Sequence, residues 1–303
     1  MKSFLLKVLL FLSPVCIFMG AVEMQLRLTP NVYSVKKIHL DNLCGKIELL
    51  CLGSSHMYHG INPIYFSKQA YNAANHSQTF EYDQKILEKY IDKMPALKTV
   101  IISVSYCSFF EKLSDSVEEW RRTYYALSMQ VEKPIIYEDF LLLTNDRQEF
   151  IPSLLGRTPA VPVNELGFGE ENSFEKRVKN INKSGEIAAE RHTISDLSLQ
   201  EEMKGIMENI VSLCESRNIS VMMLLLPTHQ SYRNNLNQHQ LDAMYSVINF
   251  ILQKYKNSSL FDASSDPDFI DDDFYDADHL NEIGAEKLTK KIDHFLWDRP
   301  LIQ

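Results

Sequence analysis

Ile47-Glu48-Leu49-Leu50-Cys51-Leu52-Gly53-Ser54-Ser55-His56 is an apolar run that stops on a glycine and two hydroxyls. A short, nearly continuous apolar stretch suits a strand buried on both faces, as in a parallel sheet, and the serines fall where the strand gives way to a loop. Moving outward, Thr99 to Val104 and Ser220 to Leu226 are two further runs of this kind, the second ended by Pro227, and Ser259-Leu260-Phe261 is a shorter one. Between them Met203, Ile206, Met207, Ile210, Val211 and Cys214 recur at helical spacing, as do Leu241, Met244, Tyr245, Ile248 and Leu252. Strands alternating with helices predict a doubly wound α/β domain with a mostly parallel sheet flanked by helices. Ligands of such sheets bind beyond the carboxyl ends of the strands, where Ser55, Tyr106 and Thr228-His229 emerge.

A second segment, Phe274-Tyr275-Asp276-Ala277-Asp278-His279-Leu280-Asn281, precedes Ile283, Ala285, Leu288, Ile292, Phe295 and Leu296 at helical spacing. His279 therefore lies on a loop before the last helix, and Asn281 reads as that helix's cap. Asp276, three residues ahead of the imidazole, is spaced to accept from one ring nitrogen and leave the other as a base toward a serine hydroxyl. Asp278 is the competing carboxylate. Serine, imidazole and carboxylate are the set that acyl chemistry needs, with Ser55 as nucleophile and Ser54 as the other candidate. Serine is also favoured at a helix N-cap, which is the alternative role for Ser55. The acidic stretch from Asp266 to Asp278 lacks the spacing and internal glycine of an EF-hand loop.

Gly53-Ser54-Ser55 and Asp276-x-x-His279 resemble the first and last blocks of the SGNH/GDSL hydrolase superfamily, with Ser54 in place of the family's aspartate. The resemblance covers roughly residues 46 to 297 and implies a flavodoxin-like strand order and a triad of Ser55, His279 and Asp276. Tyr71 to Thr79 resembles the second block, with Ser77 where the family has a glycine whose backbone N–H enters the oxyanion hole; a backbone donor survives that change. The third block, Val100 to Cys107, offers Ser105 and Tyr106 where the family has an asparagine, and Asn75 is the substitute side-chain donor. The implied oxyanion hole is thus Ser55, Ser77 and Asn75. The Gly-Ser-Ser form behind an apolar N-terminus looks more like the extracytoplasmic acyl-transfer branch, which includes proteins that acetylate alginate or alanylate teichoic acid, than like secreted lipases. It implies transfer or hydrolysis of ester-linked acyl groups, O-acetyl on a cell-envelope carbohydrate or a small acyl ester, with a membrane-embedded acyltransferase as a partner. The missing asparagine leaves a second reading: a catalytically degenerate protein that binds a glycan or a partner.

With 303 residues, 45% of them hydrophobic, the chain can bury a full core. A net charge of −9 excludes a phosphate-backbone partner, which demands a basic footprint. Met1 to Lys7 is basic and Val8 to Val22 has no charge, so residues 1–23 read as an export signal or a membrane anchor. No convincing small-x-small cleavage site follows, which favours the uncleaved anchor, with the domain outside the cytoplasm. Residues 24–45 then form a linker and 46–300 the α/β domain. Within it, 109–195 breaks the strand-helix alternation and reads as an irregular insertion over the active face. Its Arg121, Arg122 and Arg191 are candidates to meet an anionic sugar, and Tyr106 and His229 to touch substrate; His229 is a weaker candidate, as are His56 and His59. Cys44, Cys51, Cys107 and Cys214 have no metal-ligand spacing, and Cys51 and Cys214 suit buried free thiols. No metal or cofactor is expected.

Overall fold

The computed structural model describes residues 2–133, Leu142 and 160–298. The chain divides into two units, Met1–Ile38 with Val117–Val161, and His39–Ser116 with Pro162–Gln303. The described helices are α1 (Lys2–Leu28), α2 (Val32–Leu43), α3 (Ser55–Gly60), α4 (Phe80–Tyr90), α5 (Arg121–Leu127), α6 (Ile181–His192), α7 (Gln200–Glu215), α8 (Gln230–Arg233), α9 (Gln238–Lys254) and α10 (Glu282–Asp298).

The second unit is built on five parallel strands, β1 (Leu49–Leu52), β2 (Ala70–Asn72), β3 (Thr99–Ser103), β4 (Ser220–Leu225) and β5 (Ser258–Asp262), in the order β2-β1-β3-β4-β5. This is the flavodoxin-like order, and the sheet is parallel throughout. Its middle is aliphatic: Leu50 lies beside Val100, and Val100 beside Val221, all fully buried. β2 is an addition to the strands expected from the apolar runs. Only three residues long, it is covered at its outer edge, where Asn72 N–H donates to Leu166 O at 2.9 Å. Among the described helices α6 packs on α8, and of those that cover the sheet α3 packs with α10 and α4 with α7. Right-handed crossovers require this, since the chain leaves β1 in one direction to reach β2 and returns in the other to reach β3. That reversal makes the carboxyl end of β1 a topological switch point.

Residues 24–45, expected as a linker, are mostly the end of α1 and the whole of α2. The expected insertion is divided. Residues 117–161 belong to the first unit, and 109–116 and 162–195, with α6, to the second; positions 134–141 and 143–159 lie outside the described residues. In the first unit, Leu6–Leu28 of α1 is a 23-residue segment containing an 18-residue stretch of mean hydropathy 1.9, long and apolar enough to cross a bilayer. Tyr33 stacks on Tyr124 at 5.3 Å and meets Tyr125 edge-on at 4.9 Å. Arg121 pairs with Glu118 at 2.7 Å and Arg122 with Glu119 at 3.2 Å.

Candidate active site

Gly53 ends β1 with φ +135, and a Cβ there would lie 1.9 Å from Ser103 Oγ on β3, so only glycine lets the chain turn so close to its neighbour. Ser54 is extended, and Ser55 opens α3. At the other end of the chain, Phe274 and Leu280 form an isolated antiparallel bridge and Tyr275 N–H donates to His279 O at 3.0 Å, closing a tight loop. Within it Asp276 Oδ1 accepts the backbone N–H groups of Asp278 at 3.1 Å and His279 at 2.8 Å, an aspartate turn that holds the carboxylate against its own i+3 imidazole. Asn281, fully buried, caps α10 by accepting from Ile283 and Gly284 N–H.

These two segments meet. Ser55 Oγ is 2.8 Å from His279 Nε2, and His279 Nδ1 is 3.0 Å from Asp276 Oδ1. Ser54 Oγ instead contacts His56 Nδ1 at 3.1 Å. Asp278 Oδ2 lies farther from His279 Nδ1, at 3.5 Å, but its side chain is only 1% exposed, so its charge is little screened. Geometry makes Asp276 the orienting partner and Asp278 the stronger electrostatic one. Against burial, which disfavours the charged ring, the carboxylates of Asp278 and then Asp276 raise the His279 pKa above the ordinary histidine value. Burial likewise opposes ionisation of Asp278, yet the His279 and His56 imidazoles hold its carboxyl well below the usual range.

His56, a weak candidate on sequence alone, stacks its ring on His279 at 4.7 Å with 5° between planes, and its Nε2 is 3.5 Å from Asp278 Oδ2. No motif could have shown this, because it depends on how α3 packs on the 275–279 loop. Arg191, 59% exposed, reaches Asp278 Oδ2 at 3.3 Å. His192 donates to or accepts from Tyr232 OH at 2.9 Å, and burial pushes its pKa down to about 3, so it is neutral.

Ser55 faces a cavity of about 90 Å³ lined by Ser77, Gln78, Asp83, Ser105, Glu111 and His192 among others. Ser77 has φ +52, the left-handed conformation that glycine adopts freely, which agrees with its place in the resemblance. Asn75 is turned inward: its Nδ2 donates to Gln78 Oε1 at 3.1 Å and it does not line the cavity. Gln78 in turn donates to Asp83 Oδ1 at 2.6 Å. Burial raises the Asp83 pKa to about 7. A second, more apolar cavity of about 120 Å³ shares His56 and Ser105 with the first and is lined by Leu226, Leu236, Leu241 and Met244. Tyr106 lines this second cavity, its hydroxyl tied to Thr193 Oγ1 and Asn237 N–H. His229 is apart from both: its Nδ1 accepts from Ser231 N–H as the cap of α8, and its Nε2 is 3.2 Å from Asp271.

Residues 162–292 match a family model described as Protein of unknown function (DUF1574), a span that includes the Asp276–His279 loop. No curated protein matches the sequence. Among solved structures the chain is similar to a Streptococcus pneumonia protein provisionally described as a platelet activating factor, at 10% identity and TM-score 0.44, over 95% of this chain and 98% of that one. It is also similar to a provisionally described acylhydrolase of Bacteroides fragilis NCTC 9343, at 10% identity and TM-score 0.38, over 82% and 86% of the two chains.

Proposed function

We propose that the protein is an SGNH-like, serine-dependent enzyme that transfers or hydrolyses ester-linked acyl groups. The observation that carries this reading is the continuous relay from Ser55 Oγ to His279 Nε2 at 2.8 Å and from His279 Nδ1 to Asp276 Oδ1 at 3.0 Å. His279 takes the hydroxyl proton on Nε2 as Ser55 Oγ attacks the acyl carbonyl. The tetrahedral intermediate then collapses, His279 returns the proton to the departing alkoxide, and an acyl-Ser55 remains. A sugar hydroxyl completes a transfer, water a hydrolysis, each losing its proton to the same nitrogen. Asp276 orients the imidazole, and the backbone N–H groups of Ser55 and Ser77 stabilise the oxyanion. The apolar cavity beside His56 accommodates the acyl portion. The apolar helix α1 supports a chain held at a membrane with its site outside the cytoplasm, acting on an envelope carbohydrate or a small acyl ester.

One observation favours the non-catalytic reading: no asparagine lines the cavity in front of Ser55 among the described residues, and Gln78 there is engaged by Asp83. Loss of one oxyanion donor costs about 10²–10³ in rate, so the relay remains the weightier feature. Mass spectrometry after incubation with an activated acetyl ester separates the two. The expected result is a single acetyl adduct on Ser55, absent in Ser55→Ala and kept in Ser54→Ala, with turnover in Ser55→Ala lower by about 10⁴-fold or more. A folded protein that forms no adduct and resists fluorophosphonates sinks the catalytic reading.

A further inference from the structure

Beside the relay lies a second convergence of side chains that acyl transfer does not use. His59 is on α3, His76 precedes Ser77 on the loop after β2, and Glu171 lies on the strap that follows Gly169. Glu171 Oε2 is 3.7 Å from His59 Nε2 and 3.6 Å from His76 Nε2, and the three ligand atoms all lie within 4.8 Å of one another. The strap is pressed onto α3, since a Cβ on Gly169 would lie 2.4 Å from the Tyr58 ring.

The protonation pattern gives this cluster its meaning. His59 is 2% exposed, and its Nδ1 is 3.1 Å from the Gly169 carbonyl oxygen, an acceptor only. Nδ1 therefore carries the hydrogen, and in the neutral ring Nε2 turns its lone pair toward the Glu171 carboxylate. Glu171 Oε2 is itself buried without a hydrogen-bond partner. Lone pairs so arranged repel one another unless a cation sits between them. A proton is the smallest such cation, but a charge-assisted N–H···O contact closes to about 2.7–2.9 Å, well inside the 3.6 and 3.7 Å found here. Those separations are near the edge of a tetrahedron with bonds of about 2.1 Å, which is ~3.4 Å. A backbone carbonyl that fixes the tautomer from behind is the usual outer support of a metal-bound imidazole.

We propose that His59, His76 and Glu171 bind a divalent transition-metal ion of the zinc class, with a fourth position open. The ion ties together three segments: the helix that begins at Ser55, the loop that carries Ser77, and the strap. Its place as a brace for the Ser77 loop follows from the sequence neighbours, and the binding itself stands without the acyl chemistry. The ligands come from positions 59, 76 and 171, so no local spacing announces them.

The test uses the full chain in detergent, stripped with chelator and titrated with Co²⁺ and then Zn²⁺. One equivalent of Co²⁺ is expected to develop the visible absorption of a low-coordinate nitrogen and oxygen site, to be displaced by Zn²⁺, and to raise the melting temperature. His76→Gln and Glu171→Gln, both at half-buried positions, are expected to weaken binding by at least about 100-fold, the upper end of what outer partners alone contribute. His279→Ala is expected to bind as the parent does, which separates this site from the His56, Asp278 and His279 group. Absence of saturable binding in the folded chain, or binding lost in His279→Ala and kept in His76→Gln and Glu171→Gln, overturns the proposal.

Discussion

For His279 to act as a base it must be neutral, and the two carboxylates beside it oppose that. Activity is therefore expected to climb as pH rises through a folded-state pKa above the ordinary ~6.5 of histidine. Asp278→Asn removes the carboxylate with the larger effect on His279 while leaving the Asp276 hydrogen bond, so the acid limb of the kcat/KM profile is expected to move toward lower pH. A limb that stays in place would remove Asp278 from the electrostatics of the base. Asp83 bears on stability rather than on the base. Its folded pKa is raised to about 7 by burial, against which the Gln78 hydrogen bond and the Gly53 backbone act. The folded chain then holds a proton that the unfolded chain releases near ~3.9. Stability falls as pH climbs between those values. Asp83→Asn keeps an acceptor for Gln78 and is expected to raise the melting temperature at pH 8 more than at pH 5; equal shifts at both would mean the carboxyl is not the cause.

At the scale of elements, α3 has six residues and little intrinsic stability, yet it presents Ser55 and His59. Asn72, fully buried at the end of β2, holds it: Nδ2 donates to Met57 O and Ile61 O, both at 2.8 Å, while Oδ1 accepts from Ala74 N–H at 3.1 Å. Asn72→Ala removes a buried partner from each of Met57 O, Ile61 O and Ala74 N–H and is expected to cost about 2–4 kcal/mol in urea unfolding, with a loss of Ser55 acylation larger than stability alone explains. The same residue marks the limit of what was legible. β1, β3 and β4 announced themselves as apolar runs, and the two serines and the Asp-x-x-His loop stood at their expected junctions. β2 did not, because three residues ending in asparagine present no period and asparagine is a poor strand former. The relay was readable because its order along the chain resembles a known pattern. The stacking of His56 on His279, the inward turn of Asn75 and the capping role of His229 follow from tertiary packing, to which a single sequence gives no access.

At the scale of the molecule, α1 raises the question of where the protein works. Twenty-three residues at about 1.5 Å each span ~35 Å, enough for a hydrocarbon core of about 30 Å. Phe4, Leu9, Phe11, Ile17 and Phe18 are all exposed on this helix, a load of apolar surface that water does not tolerate over a whole helix. Pro14 lies inside it without ending it, and spanning helices accept proline more readily than soluble ones. An uncleaved anchor predicts that the chain stays in the membrane pellet after alkaline carbonate and that its intact mass includes α1. Arginine placed at both Phe11 and Ile17 costs about 2.5–3.5 kcal/mol per residue near the helix centre, so that double variant is expected to leave the pellet. A chain recovered in the soluble fraction with its first ~22 residues missing would identify α1 as a removed signal. The distinction bears on the chemistry, because an anchored enzyme meets acceptors at the membrane surface, whereas a released one reaches acyl esters anywhere in the compartment.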